Sequence, residues 1–169
     1  MEALVALWIP ILLAAIVMFF ASSIAWMLLP FHKNDWAKLP DQTAVLNALA
    51  GVEPGQYLAP HGDMNAPWFA SILLQRRVSM GKRLTLWFLN QLLIALMTGY
   101  LIYYALPPEA EYLLVFRIAG TALVLGQIGA LFARSIWWGW KWSTALVEAV
   151  EGIVYALLAA GVFSWWWVR

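Results

Sequence analysis

Glu148 and Glu151 lie three residues apart in the stretch ALVEAVEGIVYALLAAG, 145 to 161, and Tyr155 follows four residues later. That spacing places all three on one face of a helix. Two carboxylates and a phenol inside an apolar helix are the ingredients of a proton or ion relay, as found in pumps and transporters. They are equally the ingredients of a packed ion pair or hydrogen-bond network. A charge near the middle of a bilayer costs roughly 2.5 to 3.5 kcal/mol even on lenient scales, so these groups must face protein or a water-filled cavity. Counted from Thr144 at about 1.5 Å per residue, Glu148 lies about 6 Å deep and Glu151 about 10 Å deep. Glu148 is therefore within reach of interfacial water, whereas Glu151 needs a partner.

Arg117 is the cation expected to supply one. It enters the membrane from the opposite side, about 8 Å below Tyr112, and side-chain reach or helix offset must close a gap of about 10 Å to Glu151 in a hydrocarbon layer about 30 Å thick. Gln127, Asn90 and Gln91 add uncharged hydrogen-bonding groups. The expected site is thus a polar cluster of Glu148, Glu151, Arg117, Tyr155 and Gln127. A single candidate cation, and no broken-helix pattern repeated between the two halves of the chain, favour a packed network over a transport path.

Other chemistries find less support. With no cysteine in the chain, disulfides, thiolate nucleophiles, iron–sulfur clusters and thiolate zinc sites are excluded. His32 and His61, even with Asp35 and Asp63, lack the spacing of a metal site and read as solvated loop residues, and haem between two spans would need ligands inside the membrane. No nucleophile elbow, phosphate loop or HExxH motif occurs. The expectation is no cofactor, no metal and no enzymatic activity. A net charge of +1 without a nucleic-acid-binding motif argues against nucleic acid as a partner.

The elements that must hold this cluster follow from hydropathy. The chain of 169 residues is 64% hydrophobic and 11% charged, against about 25% charged in a soluble domain. It is read as a single all-α membrane unit, 1–169, of four transmembrane helices. The first span, 4–29, is uncharged and exceeds the roughly 20 residues needed to cross a bilayer. It is read as a span and not a cleaved signal because it lacks a basic leader, carries Glu2 and is too long. Pro10 lies near its outer end, where a missing helical hydrogen bond does least harm. The second span is 84–106, stopped by Pro107 and Pro108; the third is 112–133 and the fourth 144–166, with Ser143 as its expected N-cap.

A polar segment, 31–83, separates spans one and two. Within it 41–52 reads as a short amphipathic helix capped by Asp41, with Val45, Leu46 and Leu49 on one face. The Gly- and Pro-rich run that follows reads as turns and extended chain. Residues 67–77, with Trp68, Phe69, Ile72 and Leu73 beside Arg76 and Arg77, read as a helix in the headgroup region. No repeat of 20 to 50 residues is evident.

Lys and Arg in short loops collect on the cytoplasmic side. Segment 31–83 carries six (Lys33, Lys38, Arg76, Arg77, Lys82, Arg83), whereas PPEAEY between spans two and three carries none. Arg134 and Lys141 lie between spans three and four. Both termini are therefore expected outside, with 31–83 in the cytoplasm. The aromatic clusters IWWGWKW, 136 to 142, and WWW, 165 to 167, fit the inner and outer interfaces and account for seven of the chain's twelve Trp.

Small residues predict where helices touch. Ala122, Gly126 and Ala130 on span three, and Gly152, Ala156 and Ala160 on span four, recur every four residues, the spacing that lets backbones approach closely. Spans three and four are expected to pack together along these stripes.

The stretches SIWWGWKWSTALVEAVEGIVYALLAAGVFSWWW and SMGKRLTLWFLNQLLIALMTGYLIYY, with the FRIAG opening of span three, resemble a family of small four-span bacterial inner-membrane proteins of uncharacterised activity. The resemblance covers roughly the second half of the chain. It implies a multi-pass protein of the bacterial inner membrane and supplies no catalytic residue. The functional expectation is a non-catalytic accessory subunit of a larger, possibly bioenergetic, membrane complex; the alternative is a small proton- or ion-conducting protein using Glu148 and Glu151. Expected partners are the lipid bilayer and other membrane protein subunits, or a second copy in a homo-oligomer.

Overall fold

The computed structural model describes residues 2–59, 61, 70–74 and 79–167. Four helices are long and apolar enough to cross a membrane. Helix α1 spans Glu2–Leu28 and contains Pro10. Proline removes a backbone donor and crowds the preceding turn, and the helix is non-helical at Leu7 (φ −112°, ψ 15°). A short 3-10 turn, Pro30–His32, follows. Helix α2, Gln42–Ala48, is capped by Asp41, whose carboxylate accepts from the Ala44 amide at 2.9 Å. Val45 and Leu46, on the apolar face expected of it, are exposed.

The long polar segment also holds an antiparallel ribbon of β1, Gly55–Ala59, and β2, Ala70–Leu74, with Gly55 opposite Leu74 and Ala59 opposite Ala70. Over 70–74 this corrects the interfacial helix expected for 67–77. An isolated helix shorter than about 12 to 15 residues is marginal, and Gly55–Ala59 offers the apolar run ASILL a backbone partner for its amides and carbonyls. Trp68, Phe69, Arg76 and Arg77, which also belonged to that expectation, lie outside the described residues.

Helix α3, Met80–Ala105, begins one turn earlier than expected because Ser79 caps it, accepting from the Lys82 amide at 3.3 Å. It stops before Pro107: Leu106 is extended (φ −120°, ψ 142°), the conformation favoured by a residue that precedes proline. The third span is broken, with α4 over Tyr112–Ile128, a turn, and then α5 over Ala133–Trp138. Gly139 ends α5 in the left-handed region (φ 68°), where a residue without Cβ is favoured. Helix α6, Trp142–Trp165, begins at Lys141, which replaces Ser143 as N-cap and makes no side-chain capping bond.

Helix α1 packs on α3 and α6, and α4 packs on α6 and α3, so the spans close into a ring. Its interior is built largely from alanines, including Ala14, Ala15, Ala95, Ala119, Ala156, Ala159 and Ala160, all fully buried. Helices in lipid gain little from hydrophobicity and associate through close packing, which small residues permit.

Of the small-residue stripes, Gly152, Ala156 and Ala160 of α6 are all buried, whereas the α4 stripe departs from expectation. A Cβ at Gly152 would meet Ile128 and Gln127 of α4, and a Cβ at Gly120 would meet the Ala160 methyl at 3.5 Å. The α4 side of that seam therefore runs through Gly120, Gln127 and Ile128. Gly126 faces α3 instead, where a Cβ would lie 2.9 Å from Ile94, while Ala122 is half-buried and Ala130 exposed. Glycines and alanines on both sides of α4 serve two neighbours, which spacing alone does not separate.

Candidate functional site: a charged clasp at one end of the bundle

Glu151 meets a histidine, not the expected arginine. Its carboxylate lies on the core side of α6 and is 8% exposed, because Glu148, Glu151 and Tyr155 share the inward face of the helix. Both its oxygens lie 3.2 Å from His32 Nε2, and Oε2 also accepts from the Tyr155 hydroxyl at 3.0 Å. The second ring nitrogen, Nδ1, lies 2.6 Å from Asp35 Oδ2, and the other Asp35 oxygen accepts from Thr144 at 2.8 Å. The imidazole stacks on Trp26, with ring centroids 3.8 Å apart. A short stretch after α1 is thereby locked to the first turns of α6, reinforced by Lys141, which donates to the Asn34 carbonyl at 2.9 Å.

Glu148, one turn nearer the end of α6, pairs with Arg134 of α5. The break in the third span makes this geometry: α5 carries Arg134 to the start of α6, where its guanidinium also lies 4.7 Å from the Trp140 ring centroid. Beside this pair, Ser135, Lys141 and Thr144 help line a void of about 10 Å³, close to the room one water needs. The Ser135 hydroxyl is buried there without a partner among the described residues.

Arg117 does not join the cluster. It is exposed on the outer face of α4 and makes no ion pair among the described residues. At about 8 Å from the helix start, an arginine side chain is long enough to extend toward the headgroups and needs no buried anion. Gln127 belongs to a separate polar layer, donating to Gln91 Oε1 at 2.6 Å and approaching the Met18 sulfur at 3.2 Å. Of the five expected site residues the structure joins Glu151 with Tyr155 directly and places Glu148 one turn away. Sequence reasoning missed His32, Asp35 and Arg134 as partners. The signal available was sidedness, since all three lie on the same side of the membrane as the start of α6, whereas Arg117 lies on the other.

His32 is flanked by a carboxylate at each ring nitrogen, so both nitrogens are placed to donate. Burial pulls its pKa down, but the hydrogen bonds and charges of Asp35 and Glu151 outweigh burial and hold it above the ordinary value of 6.5. For Asp35, burial pushes upward, and the bonds from His32 and Thr144 with the charges of His32 and Lys141 outweigh it, leaving the carboxyl below its ordinary 3.8. A raised histidine contributes stability that is fully present below its unfolded pKa and lost as pH rises through the folded one; a depressed carboxylate contributes stability present above its unfolded pKa and lost as pH falls through the folded one. The clasp is therefore expected to hold best between about pH 4 and 6.5 and to loosen as pH climbs past the raised His32 value. Thiol labelling of Asn34→Cys across pH measures this: once divided by the rate of a free thiol at the same pH, which rises with thiolate fraction, labelling should still accelerate on the alkaline side with His32 present and lose that excess in His32→Gln.

Four apolar helices closed into a ring, with a charged clasp at one end, define a multi-pass helical membrane protein. No family model, curated protein or solved structure matches the chain.

Proposed function

We propose that this protein is a non-catalytic accessory subunit of a larger assembly in the bacterial inner membrane. The observation that carries the reading is that the intramembrane carboxylates are internally satisfied: Glu151 by His32 and Tyr155, and Glu148 by Arg134. Such a network suits a part that holds a shape. Along α6 the polar array reaches Tyr155, about 20 Å from the helix start. Further along, the buried residues Ala156, Ala159, Ala160 and Phe163 offer no side-chain donor or acceptor, and the buried Ser164 hydroxyl is bonded to its own helix at Ala160.

One observation favours the rival reading, a proton- or ion-conducting protein: Asp35, His32, Glu151 and Tyr155 form a continuous hydrogen-bonded file from the loop into the membrane. Solubilisation in mild detergent followed by native mass measurement separates the two. Co-purification with larger, unrelated membrane subunits is the result expected. A pure homo-oligomer that moves protons or ions into liposomes overturns the accessory role.

The proposed orientation places both termini in the periplasm and 31–83 in the cytoplasm, on the lysine and arginine asymmetry of the loops. Cysteines at Lys38 and Glu109, introduced one at a time into a chain without cysteine, should react with an impermeant thiol reagent from opposite sides. Reaction of the Lys38→Cys variant from the periplasm reverses the assignment.

A further inference from the structure

Asn90 lies where an amide has no partner of its own. It is exposed on the outer face of α3 and makes no side-chain hydrogen bond among the described residues. It sits six residues beyond Leu84, about 9 Å into the apolar part of the helix, and its single methylene is too short to carry the amide to the interface. Apolar neighbours on that face are at ease in lipid, but an amide there leaves two donors and an acceptor unmet in hydrocarbon.

The residues around it have a period. Leu86, Asn90, Leu93, Met97, Tyr100 and Tyr104 alternate steps of four and three, and all are exposed. This is the 3.5-residue seam of left-handed helix pairs, the commonest crossing in membrane bundles. A single asparagine in such a seam fixes register, because its best partner is another amide at the same level.

We infer that α3 is the dimerisation face of this protein, packing against α3 of a second copy with the two Asn90 amides hydrogen-bonded to each other across a two-fold axis along the membrane normal. The choice of a second copy rests on self-complementarity. One amide carries both the donor and the acceptor the other needs. Two copies inserted with the same orientation must also run their α3 helices parallel, which brings residue 90 of each to the same depth without further adjustment. The inference goes beyond the accessory role and does not depend on it, since a dimer is compatible with either reading of the clasp.

Single cysteines test it in native membranes. Oxidation should give disulfide-linked dimers of Leu93→Cys and Met97→Cys, and none of Val150→Cys on the lipid face of α6. Asn90→Ala should weaken the dimer by roughly three- to twenty-fold, the range of interhelical hydrogen bonds in membranes, without changing thermal unfolding of the monomer. Equal cross-linking at Val150→Cys, cross-links only to an unrelated subunit, or a dimer indifferent to Asn90→Ala each overturns the inference.

Discussion

Replacing His32 by alanine is expected to destabilise the protein by about 3 to 5 kcal/mol, the cost of removing one partner from a buried charge pair. His32 and Glu151 are both nearly closed to solvent, with side chains 8% and 9% exposed. In the His32→Ala protein, Glu151 keeps only the Tyr155 hydroxyl of the bonds described above. The stack on Trp26 is lost as well, so the single variant overstates the ion pair. A double-mutant cycle with Glu151→Gln isolates it: the paired variant should be less damaged than the sum of the two singles, by about 0.5 to 3 kcal/mol. His61→Ala, at an exposed turn, is the control and should stay within about 0.5 kcal/mol of the parent. Reversible unfolding in mixed micelles measures the parent and all four variants. Additivity of His32→Ala and Glu151→Gln would mean that the pairing of these two side chains contributes nothing to stability.

The second large effect belongs to Gly152. A Cβ there would lie 2.8 Å from Ile128 Cγ2 and 3.2 Å from Gln127 Cβ, so the seam between α4 and α6 is already at contact with hydrogen alone. Gly152→Leu must push the two helices apart. Its expected cost is about 3 kcal/mol, the upper end for overpacking. Gly120→Ala provides the comparison on the same seam, because its new methyl would meet Ala160 at 3.5 Å, an ordinary contact. It should be nearly neutral. Thermal unfolding of the two variants side by side decides the matter, and equal melting would show that the seam yields.

The four spans were legible because length and hydropathy are local properties, and the bilayer imposes both. Helix ends were legible where a single residue sets them, as at Pro107 and Asp41, and misplaced where a serine was available but not used, as at Ser143. Residues 70–74 were misread because a short apolar run beside arginines fits a surface helix and a strand alike; only its pairing with Gly55–Ala59 distinguishes them. The clasp was half legible. That Glu151 requires a partner follows from the energetics of charge in hydrocarbon, but which partner depends on how α1 and α6 are juxtaposed. The expectation favoured Arg117 for its formal charge, when a histidine gains charge from its surroundings and can serve as well. Conversely, Arg117 is long enough to solve its own solvation problem at the membrane edge.

His32 and Glu151 are separated by 119 positions along the chain. At the usual pace of synthesis, about 5 to 20 residues per second, the histidine is made roughly 6 to 24 seconds before the carboxylate that receives it. During that interval α3 and then α4 follow α1 while α6 is still missing, and the loop after α1 has nothing to fasten to. The clasp is thus a closing event in biogenesis, and a chain cut short before its last helix would keep three of its four spans while leaving Trp26, His32 and Asp35 open to whatever quality-control proteases patrol that face of the membrane.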